Sequence, residues 1–261
     1  MGAVAMSRPD GKLHVWMLDV GHNNAVFAQT PGGAQILVDG GRFPSRLLTA
    51  IGDRMPFTDR EIEVLVITQP DEFEIGALAA VLERYDIGVV LWNGQPNQSE
   101  AFSQLQAELA RHEVVIVRAG YTLNFDDGVR LEVLHPHEQP ALTDDIDENT
   151  LVLRLGLGDI SFLLTSDLSR EGQAALMENG QWPLATVLQL PQHGTARSLG
   201  DSFLQAVQPQ AVLIQTDRAN RRGDPDSDIL ARLDNVPIFR TDEGGTLHLW
   251  TDGKTLEAAA N

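Results

Sequence analysis

The chain has 261 residues, 43% of them hydrophobic, with no cysteine and a formal net charge of −18 at pH 7. That length allows one large α/β domain or two small ones, and the lack of cysteine excludes disulfides, thiolate nucleophiles and cysteine-ligated zinc. The acidic charge repels phosphate backbones, so general affinity for single-stranded or double-stranded DNA is disfavoured.

The chain opens on the short apolar sequence MGAVAM, and we set residues 1–12 apart as an N-terminal segment. This segment is interpreted either as an expression scar or as the last turn of a membrane helix. No apolar run in the sequence approaches the roughly 20 residues that span a bilayer. A single domain is predicted over residues 13–252, followed by a short tail over 253–261.

The first half of the chain predicts a strand meander followed by mixed strands and helices. Short apolar runs bounded by Gly, Pro and Asp predict strands over 13–21, 24–30, 34–41, 63–68 and 88–92. Apolar residues at helical spacing predict helices over 42–55, 76–86 and 99–113. The last helix carries Phe102, Leu105 and Leu109 on one face, with Ser99 as a candidate N-cap.

The second half repeats this arrangement. Strands are predicted over 114–120, 121–128, 129–136, 150–156, 160–167, 185–191, 211–217, 236–241 and 245–251. Helices are predicted over 168–179, 199–207 and 226–233, and the acidic stretch 143–149 is interpreted as a solvated loop. Two such halves predict an α/β (α+β) fold with four layers, αββα, in which two mixed sheets pack face to face with helices outside.

Polar residues follow several of the predicted strands directly. Loops at strand ends are where α/β folds tend to place function, so one edge of the sheets is the candidate site. Each carboxylate taken alone fits a helix cap or a turn equally well. The residues concerned are Asp19, Asp39, positions 69–74, Asp167, Gln192-His193 and positions 217–226.

Six motifs in order resemble a known family. They read LDVGHNNA (18–25), ILVDGG (36–41), VITQPDEFEIGAL (66–78), NTLVLRL with FLLTSDL (149–168), LPQHGT (190–195) and NRRGDPDSDILARL (220–233). The chain resembles the metallo-β-lactamase fold, specifically the soluble C-terminal domain of the ComEC competence proteins, which act in DNA uptake. The resemblance runs from about Leu13 to Trp250.

The resemblance implies a two-metal site whose ligands are largely replaced in this chain. Members of the family carry a His-x-Asp-x-Asp-His cluster, later histidines and the Asp of a TGD turn. Carried over by position, the matching residues that survive are Asp71, Asp167 and His193. The lost-ligand positions are Gln69, Phe73, Glu74, Gln192, Asp224 and Asp226.

These replacements disfavour zinc, because imidazole is the ligand that suits zinc at neutral pH and glutamine offers only a weak carbonyl oxygen. Without a metal there is no bound water with a lowered pKa, so we expect no functional cofactor and no hydrolysis. Two alternatives remain open: an oxygen-rich remnant could bind Mn²⁺, Mg²⁺ or Ca²⁺ weakly without turnover, or it could support a divergent metal-dependent nuclease or phosphodiesterase. Its candidate ligands are Asp71, Glu74, Asp167, His193 and Asp224.

The resemblance also implies a setting. A ComEC domain would be attached to the membrane channel portion of the same protein, on the extracytoplasmic side of the inner or cytoplasmic membrane. Arg221 and Arg222 form a local basic cluster and are candidate phosphate contacts, although neighbouring acids could neutralise them. His22, in the turn after the first strand, either faces the site or belongs only to the turn.

Overall fold

The computed structural model describes residues 9–56, 58–138, 145–178, 180 and 182–259. Most of the predicted N-terminal segment, residues 1–8, therefore lies outside the described residues, as do positions 143–144 of the acidic stretch, position 179 of a predicted helix and positions 260–261 of the tail. Within the described part, no helix combines the length and the apolar character needed to cross a membrane.

Most predicted strands and helices form where the sequence places them. The strands are β1 (Leu13–Met17), β2 (Val26–Gln29), β3 (Gln35–Val38), β4 (Glu61–Ile67), β5 (Asp86–Trp92), β6 (Val114–Ile116), β7 (Thr122–Asn124), β8 (Arg130–His135), β9 (Val152–Leu157), β10 (Ile160–Leu164), β11 (Val187–Gln189), β12 (Ala211–Ile214), β13 (Ile238–Arg240), β14 (Leu247–Thr251) and β15 (Leu256–Ala258). The helices are α1 (Pro44–Gly52), α2 (Glu72–Ile75), α3 (Leu78–Arg84), α4 (Glu100–Leu109), α5 (Arg170–Glu178), α6 (Asp201–Val207), α7 (Ser227–Arg232) and α8 (Thr241–Gly244).

In helix α4, the helical spacing of apolar residues correctly indicates which face is buried. Ser99 is its N-cap and accepts a hydrogen bond from the Phe102 amide, while Phe102, Leu105 and Leu109 are buried. The helix ends at Leu109, four residues before the predicted end. The short helices α2 and α8 were not predicted, and neither was β15, which lies within the predicted tail and pairs with β14.

The strands form two mixed sheets of similar design. The first has the order β15-β14-β1-β2-β3-β4-β5-β6, and the second has the order β13-β12-β11-β10-β9-β8-β7. In each sheet an antiparallel meander meets a parallel half: β3 pairs antiparallel with β2 and parallel with β4, and β10 does the same with β9 and β11. The changeover places loops at the carboxyl ends of parallel strands, a common position for sites in α/β sheets.

Three clusters of buried apolar residues fill the spaces between the four layers. The inner faces of both sheets share one core, which includes Met17, Val66, Leu153 and Phe162. The outer face of the first sheet packs on α1, α3 and α4, and the outer face of the second packs on α5, α6 and α7. The predicted four-layer αββα fold is confirmed.

Candidate functional site

The predicted site residues converge where the two sheets meet. Strand β4 leads through Gln69 to α2, which carries Glu74. Strand β10 leads into the turn that carries Asp167, and β11 leads into a 3₁₀ turn, Pro191–Gly194, that carries His193. Both sheets therefore contribute side chains to one edge, as expected for loops at the carboxyl ends of parallel strands.

Three of the five predicted metal-site residues form a close group. Glu74, Asp167 and His193 each offer one ligand atom, and these atoms all lie within 4.8 Å of one another. His193 Nδ1 donates to the Gln215 carbonyl at 2.8 Å, because a carbonyl can only accept. In the neutral ring, Nε2 then carries the lone pair and lies 3.6 Å from Asp167 Oδ1. The trio could hold one metal ion.

Amide groups of the protein nevertheless reach every oxygen of the two carboxylates. Asn24 Nδ2 donates to Glu74 Oε1 at 3.3 Å and to Asp167 Oδ1 at 3.0 Å, and the Asn24 backbone N–H donates to Glu74 Oε2 at 2.9 Å. Gln69 Nε2 donates to Asp167 Oδ2 at 3.1 Å. The Thr150 hydroxyl donates to Gln69 Oε1 at 2.7 Å, which fixes the amide with its NH₂ towards the carboxylate.

A second layer of glutamines holds Asn24 in place. Gln189 Nε2 donates to Asn24 Oδ1 at 3.0 Å and to Gln215 Oε1 at 2.9 Å. Gln215 Nε2 in turn donates to the backbone carbonyls of Leu18 and Ala25 at 3.2 and 2.9 Å. These amides are all buried, and each bond therefore fixes the orientation of the next.

This amide network does not fit a two-metal centre. An amide NH₂ is a donor and cannot ligate a cation, and each amide hydrogen bond uses one of the two lone pairs of a carboxylate oxygen. Phe73, at a lost-ligand position, offers no ligand atom. A single ion at Glu74, Asp167 and His193 would use the lone pairs that these hydrogen bonds leave free.

Two further positions of the predicted site are helix caps. Asp71 is the N-cap of α2 and accepts from the Phe73 amide at 2.8 Å. Asp226, a lost-ligand position, is likewise the N-cap of α7 and accepts from the Asp228 amide at 2.9 Å. Both carboxylates thus serve the roles that short acidic side chains have at helix starts.

His22 faces the site, which decides between the two interpretations of that residue. Its ring centroid lies 4.2 Å from that of His193, its Nε2 lies 3.5 Å from Asp224 Oδ2, and its Nδ1 lies 3.1 Å from the Thr216 hydroxyl. Burial and the neighbouring His193 lower the pKa of His22 to about 4. His22 is therefore neutral at pH 7 and contributes no positive charge to the site.

The acidic stretch behaves differently from the solvated loop that was predicted. Within its described part, Asp147 accepts from Gln192 Nε2 at 3.3 Å. Burial, followed by the charge of Asp167, raises the pKa of Asp147 to about 7. The stretch thus forms one wall of the site, and its position could not be read from composition.

A buried carboxyl ties the two sheets together beside the site. Asp39, at the end of β3, accepts from the Thr68 amide at 2.9 Å, from the Thr68 hydroxyl at 2.7 Å and from the Ser166 hydroxyl at 3.1 Å. Burial raises the pKa of Asp39 to about 7 despite these bonds. Asp39 and Ser166 also have positive φ angles of 57° and 45°, which cost energy outside glycine and are held here by the hydrogen bonds.

The arginines lie at the rim. The guanidinium of Arg222 lies 5.7 Å from the ring centroid of Phe73, and that of Arg42 lies 5.0 Å from the same centroid. Arg221 is exposed. The sequence analysis did not identify Arg42 or the buried amides of Asn24, Gln189 and Gln215. The two glutamines alone carry a sequence signal, since each follows an apolar run, in the segments VLQL and LIQT.

Comparisons with known proteins support the same family. No family model matches the chain. It is 28% identical over 254 residues to ComE operon protein 3 of Bacillus subtilis (strain 168), covering 88% of the chain and 32% of the relative. It is 27% identical over 242 residues to Competence protein ComA of Neisseria gonorrhoeae, covering 92% of the chain and 32% of that relative. The chain thus spans about a third of the length of the curated relatives it matches.

Solved structures show the fold. The diiron β-hydroxylase CmlA of Streptomyces venezuelae aligns with a TM-score of 0.57 at 16% identity, over 93% of this chain and 54% of that protein. The metallo hydrolase Igni18 of Ignicoccus hospitalis aligns with a TM-score of 0.54 at 13% identity, over 90% of this chain and 98% of that protein. The metallo-β-lactamase fold protein YhfI of Bacillus subtilis aligns with a TM-score of 0.50 at 13% identity, over 77% of this chain and 85% of that protein. The metallo-β-lactamase fold and the resemblance to ComEC proteins are confirmed.

The Asp39 carboxyl predicts a pH dependence of stability. A carboxyl whose pKa rises from 3.8 to about 7 on folding contributes stability that is complete below its unfolded pKa and is lost as pH rises through 7. Asp39→Asn keeps an oxygen for the Thr68 amide but cannot ionise. We therefore expect the variant to lose less unfolding free energy than the wild type between about pH 5 and pH 8. Urea titrations at both values measure this, with exposed Asp159→Asn as the control. Identical losses in wild type and Asp39→Asn would contradict it.

The amide network predicts a cost for removing Asn24. Asn24→Ala deletes the donor that Glu74 and Asp167 share and leaves Gln189 without one of its acceptors. Because buried groups left unpaired are costly, we expect a loss of about 2–4 kcal/mol in unfolding free energy. Gln104→Ala removes an exposed amide on α4 and should change stability by less than about 0.5 kcal/mol. Equal effects of the two substitutions in urea titrations would show that the network contributes nothing.

Proposed function

We propose that this chain is a metallo-β-lactamase-fold domain of a ComEC-type DNA-uptake protein, and that it does not cleave DNA. The observation that carries this proposal is that all four oxygens of Glu74 and Asp167 accept hydrogen bonds from amides of the protein. Each of these oxygens therefore has a hydrogen-bond partner without a cation.

The chemistry of the remaining groups supports the absence of turnover. Hydrolysis at neutral pH needs a bound water whose pKa has been lowered, which a metal would supply. Ser166 is the hydroxyl next to Asp167, but it is 2% exposed and donates to Asp39. Within the described residues, the site therefore offers no accessible nucleophile in place of the missing hydroxide.

The energetics support the same conclusion. Hydrogen bonds to charged groups contribute roughly 1.5–3 kcal/mol each, and a metal ion would have to replace several of them. The burial of Glu74 further disfavours its charged form, since its pKa is raised well above the ordinary value by desolvation and then by Asp167.

One relative is named Competence protein ComA and the other ComE operon protein 3, and the chain covers 32% of each. Because the chain resembles ComEC proteins, we propose that the domain, residues 13–252, lies on the extracytoplasmic side of a membrane protein. There it would dock onto the membrane channel portion of the same protein and guide DNA without cutting it. The relatives' names and the fold carry this part of the proposal, since sites on one fold differ widely in function.

A second candidate function is a nuclease that uses a hard cation such as Mn²⁺, Mg²⁺ or Ca²⁺. The close approach of Glu74, Asp167 and His193, within 4.8 Å, favours it. Such an ion would use the lone pairs that the amides of Asn24 and Gln69 leave free on the carboxylates.

Metal binding and DNA cleavage separate the two candidates. We expect no stoichiometric metal in the purified protein, no shift in Tm with Zn²⁺, Mn²⁺ or Mg²⁺ at about 1 mM, and no DNA cleavage above the level of Asp167→Asn. A cation bound with a Kd of about 1 μM would add about 4 kcal/mol at that concentration, which a domain of this size shows as a shift of roughly 8–16 °C.

Elemental analysis, thermal shift and cleavage of labelled single-stranded and duplex DNA test this expectation. A bound ion together with cleavage that disappears in Asp71→Asn or Asp167→Asn would overturn the proposal and establish the hard-cation nuclease instead. A bound ion without cleavage would refute the metal-free site while leaving the non-catalytic role in place.

A further inference from the structure

Two histidines and two tryptophans share the outer face of strands β1 and β14. In the antiparallel pairing of these strands, Trp16 lies opposite His248 and His14 lies opposite Trp250. The residues that alternate with them along both strands belong to the core between the sheets, so these four side chains point away from that core. The strand register therefore brings two imidazole rings together on a face that includes no residue of the candidate site.

The two imidazole rings contact each other directly. His14 Nδ1 lies 2.9 Å from His248 Nε2, and His14 Nε2 lies 2.9 Å from Asp10 Oδ1. An ionised carboxylate can only accept, so Nε2 of His14 carries a hydrogen, and in the neutral ring Nδ1 carries the lone pair. Asp10 thus fixes the tautomer of His14 with a lone pair directed at His248. The side chain of His14 is 17% exposed, so solvent reaches the pair.

His248 is neutral at pH 7. Burial, followed by the charges of His14 and Arg54, lowers the pKa of His248 to about 4. Neutral imidazole is the form that binds a transition metal, so no net proton has to leave this ring before an ion binds. Its one hydrogen is needed on Nε2 only while His248 donates to His14, and Nδ1 can hold that hydrogen instead.

The separation of the two nitrogens suits one class of ion. Metal–imidazole bonds are about 2.0–2.1 Å long, so nitrogens 2.9 Å apart subtend an angle of about 90° at an ion bound to both. Neighbouring ligands of square-planar or tetragonal Cu²⁺ and Ni²⁺ have this angle. A tetrahedral Zn²⁺ would need the nitrogens to be about 3.3 Å apart. Cu²⁺ also binds a given nitrogen site more tightly than its neighbours in the first transition row.

The charges around the pair act in both directions. Asp10 supplies a negative charge beside the rings, and Lys12 is paired with Glu257 at 2.8 Å, so its own charge is compensated. Arg54, which follows α1, acts electrostatically on His248 and opposes a cation there. The acid closest to the pair is thus bonded to a ligand ring, where its charge favours a bound cation most.

We propose that His14 Nδ1 and His248 Nε2 bind one divalent transition-metal ion, with Cu²⁺ bound most tightly and water completing its coordination. The ion takes the place of the hydrogen bond between the rings, which turn towards it, while the hydrogen of His248 moves from Nε2 to Nδ1. Asp10 stays bonded to His14 Nε2, which is the carboxylate–histidine–metal arrangement that orients a ligand and raises its basicity. An ion at this face is independent of the proposed function.

Tryptophan fluorescence reports on this ion, because Cu²⁺ quenches the emission of nearby indole rings. The ring centroids of Trp16 and Trp250 lie 4.6 and 4.7 Å from that of His248. We expect one equivalent of Cu²⁺ to quench the wild type saturably and to raise its Tm, since an ion that binds only the folded state stabilises it by mass action. His14→Gln and His248→Gln, which keep a polar side chain, should each abolish the saturable quenching.

A third variant keeps both ligand rings. Asp10→Asn removes the charge of the group that orients His14, and it should weaken Cu²⁺ binding about tenfold. Zn²⁺ should bind the wild type more weakly than Cu²⁺. The Tm of each variant without metal shows whether it is folded. If the histidine variants do not fold, Asp10→Asn decides, and an unchanged affinity for Cu²⁺ in that variant would contradict the proposal.

Two control variants remove other imidazoles. His112→Gln removes a ring from the turn after α4, and His193→Gln removes the ring at the candidate site; Cu²⁺ should quench both as it quenches the wild type. Lack of saturable quenching in the wild type, persistence of that quenching in His248→Gln, or its loss in His193→Gln would each overturn the proposal.

Discussion

The site is governed by two carboxylates that face each other where the sheets meet. Glu74 comes from the helix after β4 in the first sheet, and Asp167 comes from the turn after β10 in the second. Glu74 is completely buried, and ligand atoms of the two lie within 4.8 Å of one another. Two like charges so close in a buried place require a cation, a proton or a dense set of donors. This chain supplies donors.

The fold explains why these groups cannot separate. Each sheet changes from antiparallel to parallel at one strand, β3 in the first sheet and β10 in the second, and the turns after those strands meet. Asp39 then joins them through the hydroxyls of Thr68 and Ser166. The turns are held by a buried carboxyl and by residues with positive φ, so the fold keeps the two carboxylates close together and their charge must be compensated within the site.

Much of the architecture followed from the sequence, because strand and helix periods reflect local burial. Ser99 capped its helix as predicted, and the motif order placed Asp71, Asp167 and His193 at one edge. The compensation itself was not predictable. Asn24 lies in a turn and Gln189 ends an apolar strand, and nothing local indicates that one amide donates to the other across 165 residues. Such contacts depend on sheet register and on how the two sheets are stacked, which composition does not encode.

Neutral donors differ from cations in one respect that bears on function. A metal cancels charge, whereas the amides of Asn24 and Gln69 only satisfy lone pairs, so the site keeps a tendency to hold protons. Burial raises the pKa of Asp39 and of Asp147 to about 7, so the charge around the site changes near neutral pH. An exchange of metal ions for amides would therefore leave a site whose charge depends on pH instead of one fixed by a cation.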